Sequence, residues 1–344
     1  MEVIKESIFI SAIRSLCKTL FGVFGIFLAF IPIILIIMSL GSSHEAMDKT
    51  VFSPLPDLNG NNRVLPANTP AILQIKIHGV IGNNEVTSAV IESQLIESRK
   101  GILQNNRVKG ILLYMQTPGG TVVDSDNIYR MLQTYKAKYN VPVYAFIDGL
   151  CASGGVFISC AADQIFSSPV SIIGSVGVFS GPFFNVYDPL NKWGVKSLYL
   201  SDGKNKTELS PYQPWKENEG ESLQKICSYN YQNFVEVVTA NRVRVDKDKL
   251  INEYGAKVFD PPTALEYGFI DHDKASYQDT LEALLQAAGI DMAKPYQVVE
   301  LVPKAKWLSD LIRGQNSLSK TIRQALHMEP QDSTWRNFSY LYQP

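Results

Sequence analysis

The chain has 344 residues, enough for one large domain or two small ones. Its 32 Lys and Arg against 33 Asp and Glu leave a net charge of −1, so nothing global points to nucleic acid as a partner. The four histidines (His44, His78, His272, His327) and four cysteines (Cys17, Cys151, Cys160, Cys227) form no metal-ligand spacing, no CxxC pair and no disulfide framework. No metal and no cofactor is therefore expected.

Residues 1–18 read as a short cytoplasmic N-terminus. Residues 19–40 carry no charge. At 1.5 Å rise per residue such a run spans a bilayer core of about 30 Å. Pro32 inside it is tolerated in a membrane helix. The run is too long for an ordinary signal-peptide core, so it reads as an uncleaved anchor in contact with membrane lipid. Lys5, Arg14 and Lys18 precede it and only Lys49 follows closely, which places everything after residue 40 outside the cytoplasmic membrane. Residues 41–69, rich in Pro, Asn and Gly, read as a linker.

Residues 70–290 read as one folded domain. Strands are predicted at 71–77, 108–115, 141–147 and 195–200, the run at 141–147 being broken by Asp148 and Gly149. Helices are predicted at 85–105, 124–139, 156–162, 217–241 and 273–288, with a strand and helix tail at 254–271. Strand, glycine turn, helix, strand, serine turn and helix in that order indicate an α/β domain of crossover units. Ligands of such folds gather at the carboxyl ends of strands, where both turns lie. Residues 291–344 read as a tail, with a basic amphipathic helix at 309–328. That helix is either a solvated surface element or a membrane-surface contact.

The serine turn, Cys151-Ala152-Ser153-Gly154-Gly155, ends an apolar strand and opens an apolar helix. A serine there is exposed at a strand end, among the free amides of a helix N-terminus. It suits a nucleophile, and it equally suits a plain helix cap beside two packing glycines. Cys151 is a rival thiol that reads better as a small core filler. A serine hydroxyl needs a base before it attacks an amide carbonyl. With no histidine suggestively placed, the other common base is a lysine whose burial disfavours the ammonium.

Four blocks then stand in order: Thr117-Pro118-Gly119-Gly120, Ala152-Ser153-Gly154-Gly155, Gly174-Ser175-Val176-Gly177-Val178, and Gly203-x-x-Lys206-x-x-x-Ser210-Pro211. Together they resemble the signature of the signal peptide peptidase A family of membrane-bound serine proteases, in its short single-domain form. Residues 255–271 resemble a later block of that family. The resemblance implies a caseinolytic-protease/crotonase-like α/β fold preceded by one transmembrane helix. It implies Ser153 as nucleophile, Lys206 as general base and Ser175 as the group that orients the lysine. Lys204 is then an exposed decoy. The amides of Gly154 and of the Gly119-Gly120 turn would form the oxyanion hole, where glycine lets backbone approach substrate closely.

The same resemblance implies rings or domes of identical subunits with active sites shared across subunit boundaries. Its implied substrates are remnant signal peptides and other extended apolar peptides at the outer face of the cytoplasmic membrane. Phe179, Phe183 and Phe184 would line a side-chain pocket, or else be core. Departures from the family pattern fall at Gln116, Thr117, Val156 and Asp202, and bear on substrate preference. A crotonase-type acyl-thioester enzyme and a catalytically inactive membrane scaffold are the competing readings. The intact Ser153 and Lys206 weigh against both.

Overall fold

The computed structural model describes residues 14–22, 25, 50–83, 86–303 and 339–341. The chain divides into two units, Met1–Met47 and Asp48–Pro344. In the first, residues 14–22 are helical. Most of the expected span at 19–40 lies outside the described residues, as does the amphipathic helix at 309–328. Among the described residues no helix is long and apolar enough to cross a membrane.

The second unit opens with β1 (Thr50–Leu55) and β2 (Ala71–His78). Helix α1 (Ser88–Glu97) follows, capped by the Thr87 hydroxyl accepting from the Val90 amide. It is shorter than the helix expected over 85–105. Its last turn ends at Ser98, and Gly101 turns the chain with a φ of +52°. Next come β3 (Val108–Thr117), β4 (Gly119–Thr121) and α2 (Val122–Tyr139), which Asn140 ends in the left-handed region. Strand β5 (Val143–Ala152) does not stop at Asp148-Gly149. Gly149 takes a φ of +97° and the strand continues to the serine turn.

Helix α3 (Gly154–Ser159), β6 (Gln164–Ser167) and β7 (Ile172–Gly174) complete this half. Beyond them lie α4 (Tyr187–Lys192), α5 (Glu221–Asn241), β8 (Val258–Phe259), α6 (Pro261–Glu266), α7 (Tyr277–Ala287), β9 (Gln297–Pro303) and β10 (Ser339–Leu341). The strand expected at 195–200 does not form. Those residues pair with no sheet edge, and Leu198 and Leu200 are 84% and 93% exposed.

The main sheet runs β1-β9-β2-β3-β5-β7-β8, with β6 also paired to β5. Its centre is parallel and its two ends are antiparallel. Residues 50–55 and 297–303, placed by sequence in the linker and the tail, thus form an edge strand and its neighbour within this sheet.

Both faces are covered, which explains the near-continuous apolar strands. Leu73, Ile75 and Ile77 of β2 and Ile111 and Leu113 of β3 face α2, α3 and α5. The intervening Ile72 and Leu112 face α7 through Leu281, Leu284 and Leu285. Side chains alternate across a strand, so one run of residues serves two cores. The mixed α/β class expected from the element order is the one observed.

Candidate active site

The carboxyl ends of β3, β5 and β7 lie side by side and carry three of the four sequence blocks. Thr117 pairs with Cys151, and Ala152 pairs with Gly174. Ser153 therefore emerges between the Thr117–Gly120 turn and Ser175. Close backbone approach holds the arrangement. A Cβ on Gly120 would fall 1.9 Å from the Ile81 carbonyl oxygen, and one on Gly155 would fall 2.6 Å from Thr117 Cγ2. The Thr117 hydroxyl ties the first turn by donating to the Gly79 carbonyl at 2.6 Å and accepting from the Gly119 amide at 3.1 Å. Thr117, met in the sequence only as a departure from the family pattern, is thus a buried structural tie.

Ser153 caps α3 with φ +54° and ψ −115°. A side chain in that region is strained by about 1–3 kcal/mol. Its hydroxyl makes no capping hydrogen bond. The plain helix-cap role is therefore absent, and the strain is not repaid by a cap. The sequence placed this serine in the open with its amide free. Instead it is 1% exposed, and its amide donates to the Gly174 carbonyl at 2.8 Å. The turn is packed between the ends of β3 and β7. The free helix donors consequently begin at Gly154, whose amide has no protein acceptor among the described residues. Of the two other oxyanion candidates, Gly119 already donates to Thr117, whereas Gly120 turns its amide to the open edge of β4.

Ser175 is buried, with φ +60° and its amide donating to the Lys257 carbonyl at 2.7 Å. Cys151 is fully buried, and burial pushes its thiol far up, with Cys160 adding to the effect. Burial likewise pushes Cys160 up to about 12. Neither thiol supplies a thiolate near neutral pH. The described histidines lie elsewhere, with His272 stacked on Phe166 and His78 edge-on to Tyr114.

Lys206 occupies a different place. It is exposed and lines an open polar cleft with Lys204, Glu208, Trp215, Glu219 and Lys225. Among the described residues no hydrogen bond or ion pair joins it to Ser153. Two carboxylates that the sequence did not single out stake its loop to the start of α5. Glu219 accepts from the amides of Leu209, at 2.5 Å, and Lys216, at 3.1 Å. These backbone bonds hold its carboxyl below the usual range. Glu208 accepts from the Gly220 amide at 3.0 Å and from the Ser222 hydroxyl. Acidic residues flanking a glycine before a long helix were the only sequence signal for this clamp.

Ser210, the end of the lysine block, is buried and donates to the Tyr199 hydroxyl at 2.9 Å. Phe179 is half-buried, while Phe183 and Phe184 are 37% and 73% exposed, so these two are not core.

A parallel-rich α/β sheet with a strained, uncapped serine at a strand-to-helix turn defines a class of proteins built around a serine nucleophile. Comparison with known families sharpens this. The model of peptidase family S49 matches residues 136–291, and that of Clp protease matches residues 74–173. A putative protease of Synechocystis sp. is 30% identical over 62% of this chain and 76% of its own length. A putative signal peptide peptidase SppA of Enterococcus faecium is 29% identical over 63% of this chain, and the match takes in 64% of that relative. Among solved structures, a ClpP1 variant from Listeria monocytogenes superposes with a TM-score of 0.40 at 16% identity, covering 60% of this chain and 94% of its own. The chain belongs to peptidase family S49.

Proposed function

We propose that this chain is a serine endopeptidase that cleaves extended apolar peptides, remnant signal peptides among them, with Ser153 as nucleophile and Lys206 as general base. The observation that carries the reading is the Ser153 turn: a hydroxyl released from capping, in a strained backbone, beside a free Gly154 amide. Ser153 Oγ attacks the peptide carbonyl carbon and passes its proton to the neutral Lys206 amine. The oxyanion takes hydrogen bonds from Gly154 and Gly120. The lysine ammonium then protonates the leaving amine as the C–N bond breaks, and water hydrolyses the acyl-enzyme. Each such donor is worth about 3–4 kcal/mol in other proteases. Ser175 stands where it can orient the lysine once the lysine is in place.

The separation of Lys206 from Ser153 within one chain supports a site completed by a second copy. So does the exposed apolar surface around it: Phe184, Trp193, Leu198 and Leu200 are 73%, 79%, 84% and 93% exposed. Patches of that kind mark interaction surfaces. In this reading residues 19–40 anchor the protein in the cytoplasmic membrane, with the sheet domain outside, where signal-peptide remnants collect.

Hydrolysis of a fluorogenic apolar peptide by the full chain in detergent micelles tests the proposal. Ser153→Ala and Lys206→Ala are each expected to lose at least about 10³-fold in kcat, and Lys204→Ala to stay near wild type. Mixing the two dead variants restores part of the activity if sites are shared. Full activity in Ser153→Ala would sink the nucleophile assignment. Full activity in Lys206→Ala would sink the base.

A further inference from the structure

We infer that the segment Ser339–Leu341 is an in-chain peptide ligand of the groove beside Ser153, and that it closes this groove to other peptides until displaced. The inference rests on the peptidase reading above for the meaning of the groove, and on backbone geometry for its occupancy.

Strand β4 has two edges. On one, the Ile81 amide donates to the Gly119 carbonyl at 2.9 Å and the Thr121 amide donates to the Ile81 carbonyl at 3.0 Å. Successive peptide groups of an extended strand point to opposite edges. The amide and carbonyl of Gly120 therefore face the other edge, and β10 pairs there. It runs antiparallel, with Ser339 opposite Thr121, Tyr340 opposite Gly120 and Leu341 opposite Gly119. Gly120 and Tyr340 are thus the pair that exchanges both hydrogen bonds. The Gly120 amide belongs to the proposed oxyanion hole, so the Tyr340 carbonyl occupies the place of a substrate carbonyl. The segment also runs close to α3, the helix that Ser153 caps.

The sequence agrees with this role. Residues 337–344 carry no charge, and Phe338, Tyr340, Leu341 and Tyr342 make the stretch apolar. It is the kind of extended apolar peptide that the groove is proposed to take by strand addition. A ladder of three residues in a two-stranded sheet is marginal by itself, which suits a ligand that must leave. Steric occupancy, with no covalent step, is sufficient for closure.

Amide hydrogen exchange of Gly120 in the full chain reads the contact directly. Tyr340→Pro removes the amide that faces the Gly120 carbonyl, and is expected to speed Gly120 exchange at least tenfold. Deletion of residues 337–344 should do the same. Ser339→Pro, whose lost amide points away from β4, should change it less than twofold. A synthetic peptide of residues 337–343 added to Tyr340→Pro should restore slow exchange. In the activity assay, Tyr340→Pro should raise kcat/KM for a short apolar peptide several-fold.

Unchanged Gly120 exchange in both Tyr340→Pro and the deletion overturns the proposal, as does a peptide that never restores protection. If exchange responds but no form of the chain cleaves any peptide, docking stands and the peptidase reading falls. If wild type cleaves peptides while exchange ignores Tyr340→Pro, the peptidase reading stands and docking falls.

Discussion

The Ser153 turn and the Lys206 loop are built on opposite principles. The serine turn is fixed by the core: β5 lies between β3 and β7, and the helix after the serine buries Val156, Phe157 and Ile158. Phe157 packs against Tyr129 and Phe234, with ring centroids 5.5 and 5.2 Å away. The strain at Ser153 persists because this surrounding structure over-determines it. The Lys206 loop has no such support. It follows a stretch whose large apolar side chains face solvent, and two glutamates stake it locally. One half of the proposed chemistry is preorganised within a single chain. The other half is shaped but not delivered.

This contrast can be broken or sharpened by stability measurements, which lie outside catalysis. The largest effect is expected from two aromatic truncations compared side by side. Phe157→Ala should cost about 3–5 kcal/mol in denaturant unfolding, as a fully buried aromatic. Trp193→Ser should cost less than about 0.5 kcal/mol per chain while weakening self-association. Equal losses at the two sites would mean that the loop is as integral to the fold as the serine helix.

Next in size is the ion pair behind the serine half of the molecule. Arg242, 6% exposed, donates to both oxygens of Asp271 at 2.9 and 2.8 Å. Burial alone would raise the Asp271 carboxyl, but the hydrogen bonds and charge of Arg242 outweigh it and hold the carboxyl below its usual value. A depressed carboxyl contributes stability that is complete above the ordinary Asp range. That stability is lost as pH falls from about 4 through the lower folded value. Asp271→Asn leaves Arg242 unpaired. It should cost about 3 kcal/mol at neutral pH and flatten the acid part of the unfolding profile. An unchanged acid profile would remove Asp271 from this role.

The smallest expected effect bears on the strain itself. Ser153→Gly relieves the positive φ and should stabilise the chain by about 1 kcal/mol or less while abolishing hydrolysis. A loss of stability in Ser153→Gly would show that the hydroxyl has a structural partner after all.

Much of the fold was legible because apolar periodicity is a local signal. The α2 face of Ile128, Leu132 and Tyr135 and the alternation in β2 survive intact in the structure. The misreadings fall where a neighbour decides. Residues 50–55 and 297–303 resemble linker and tail until each finds the other as a strand partner. Residues 195–200 have strand composition but no free edge to join. Gly149 breaks a strand in sequence, whereas in the sheet its positive φ lets the strand bend and go on to the serine.

At the site, the residue types and their order along the chain were set by sequence alone: Ser153 before two glycines, the Gly119-Gly120 turn, and Lys206 before Ser210-Pro211. Chemistry of that kind is carried by side-chain identity, which needs no third dimension. Tertiary structure decided the rest. It buries Ser153 and withholds a capping bond from its hydroxyl. It gives the Gly119 amide to Thr117, leaving Gly120 as the open donor. It lays residues 339–341 along that donor's edge, more than two hundred residues downstream. Hydrogen-bond direction and burial depend on which distant segments meet, and no local pattern along the chain encodes that meeting.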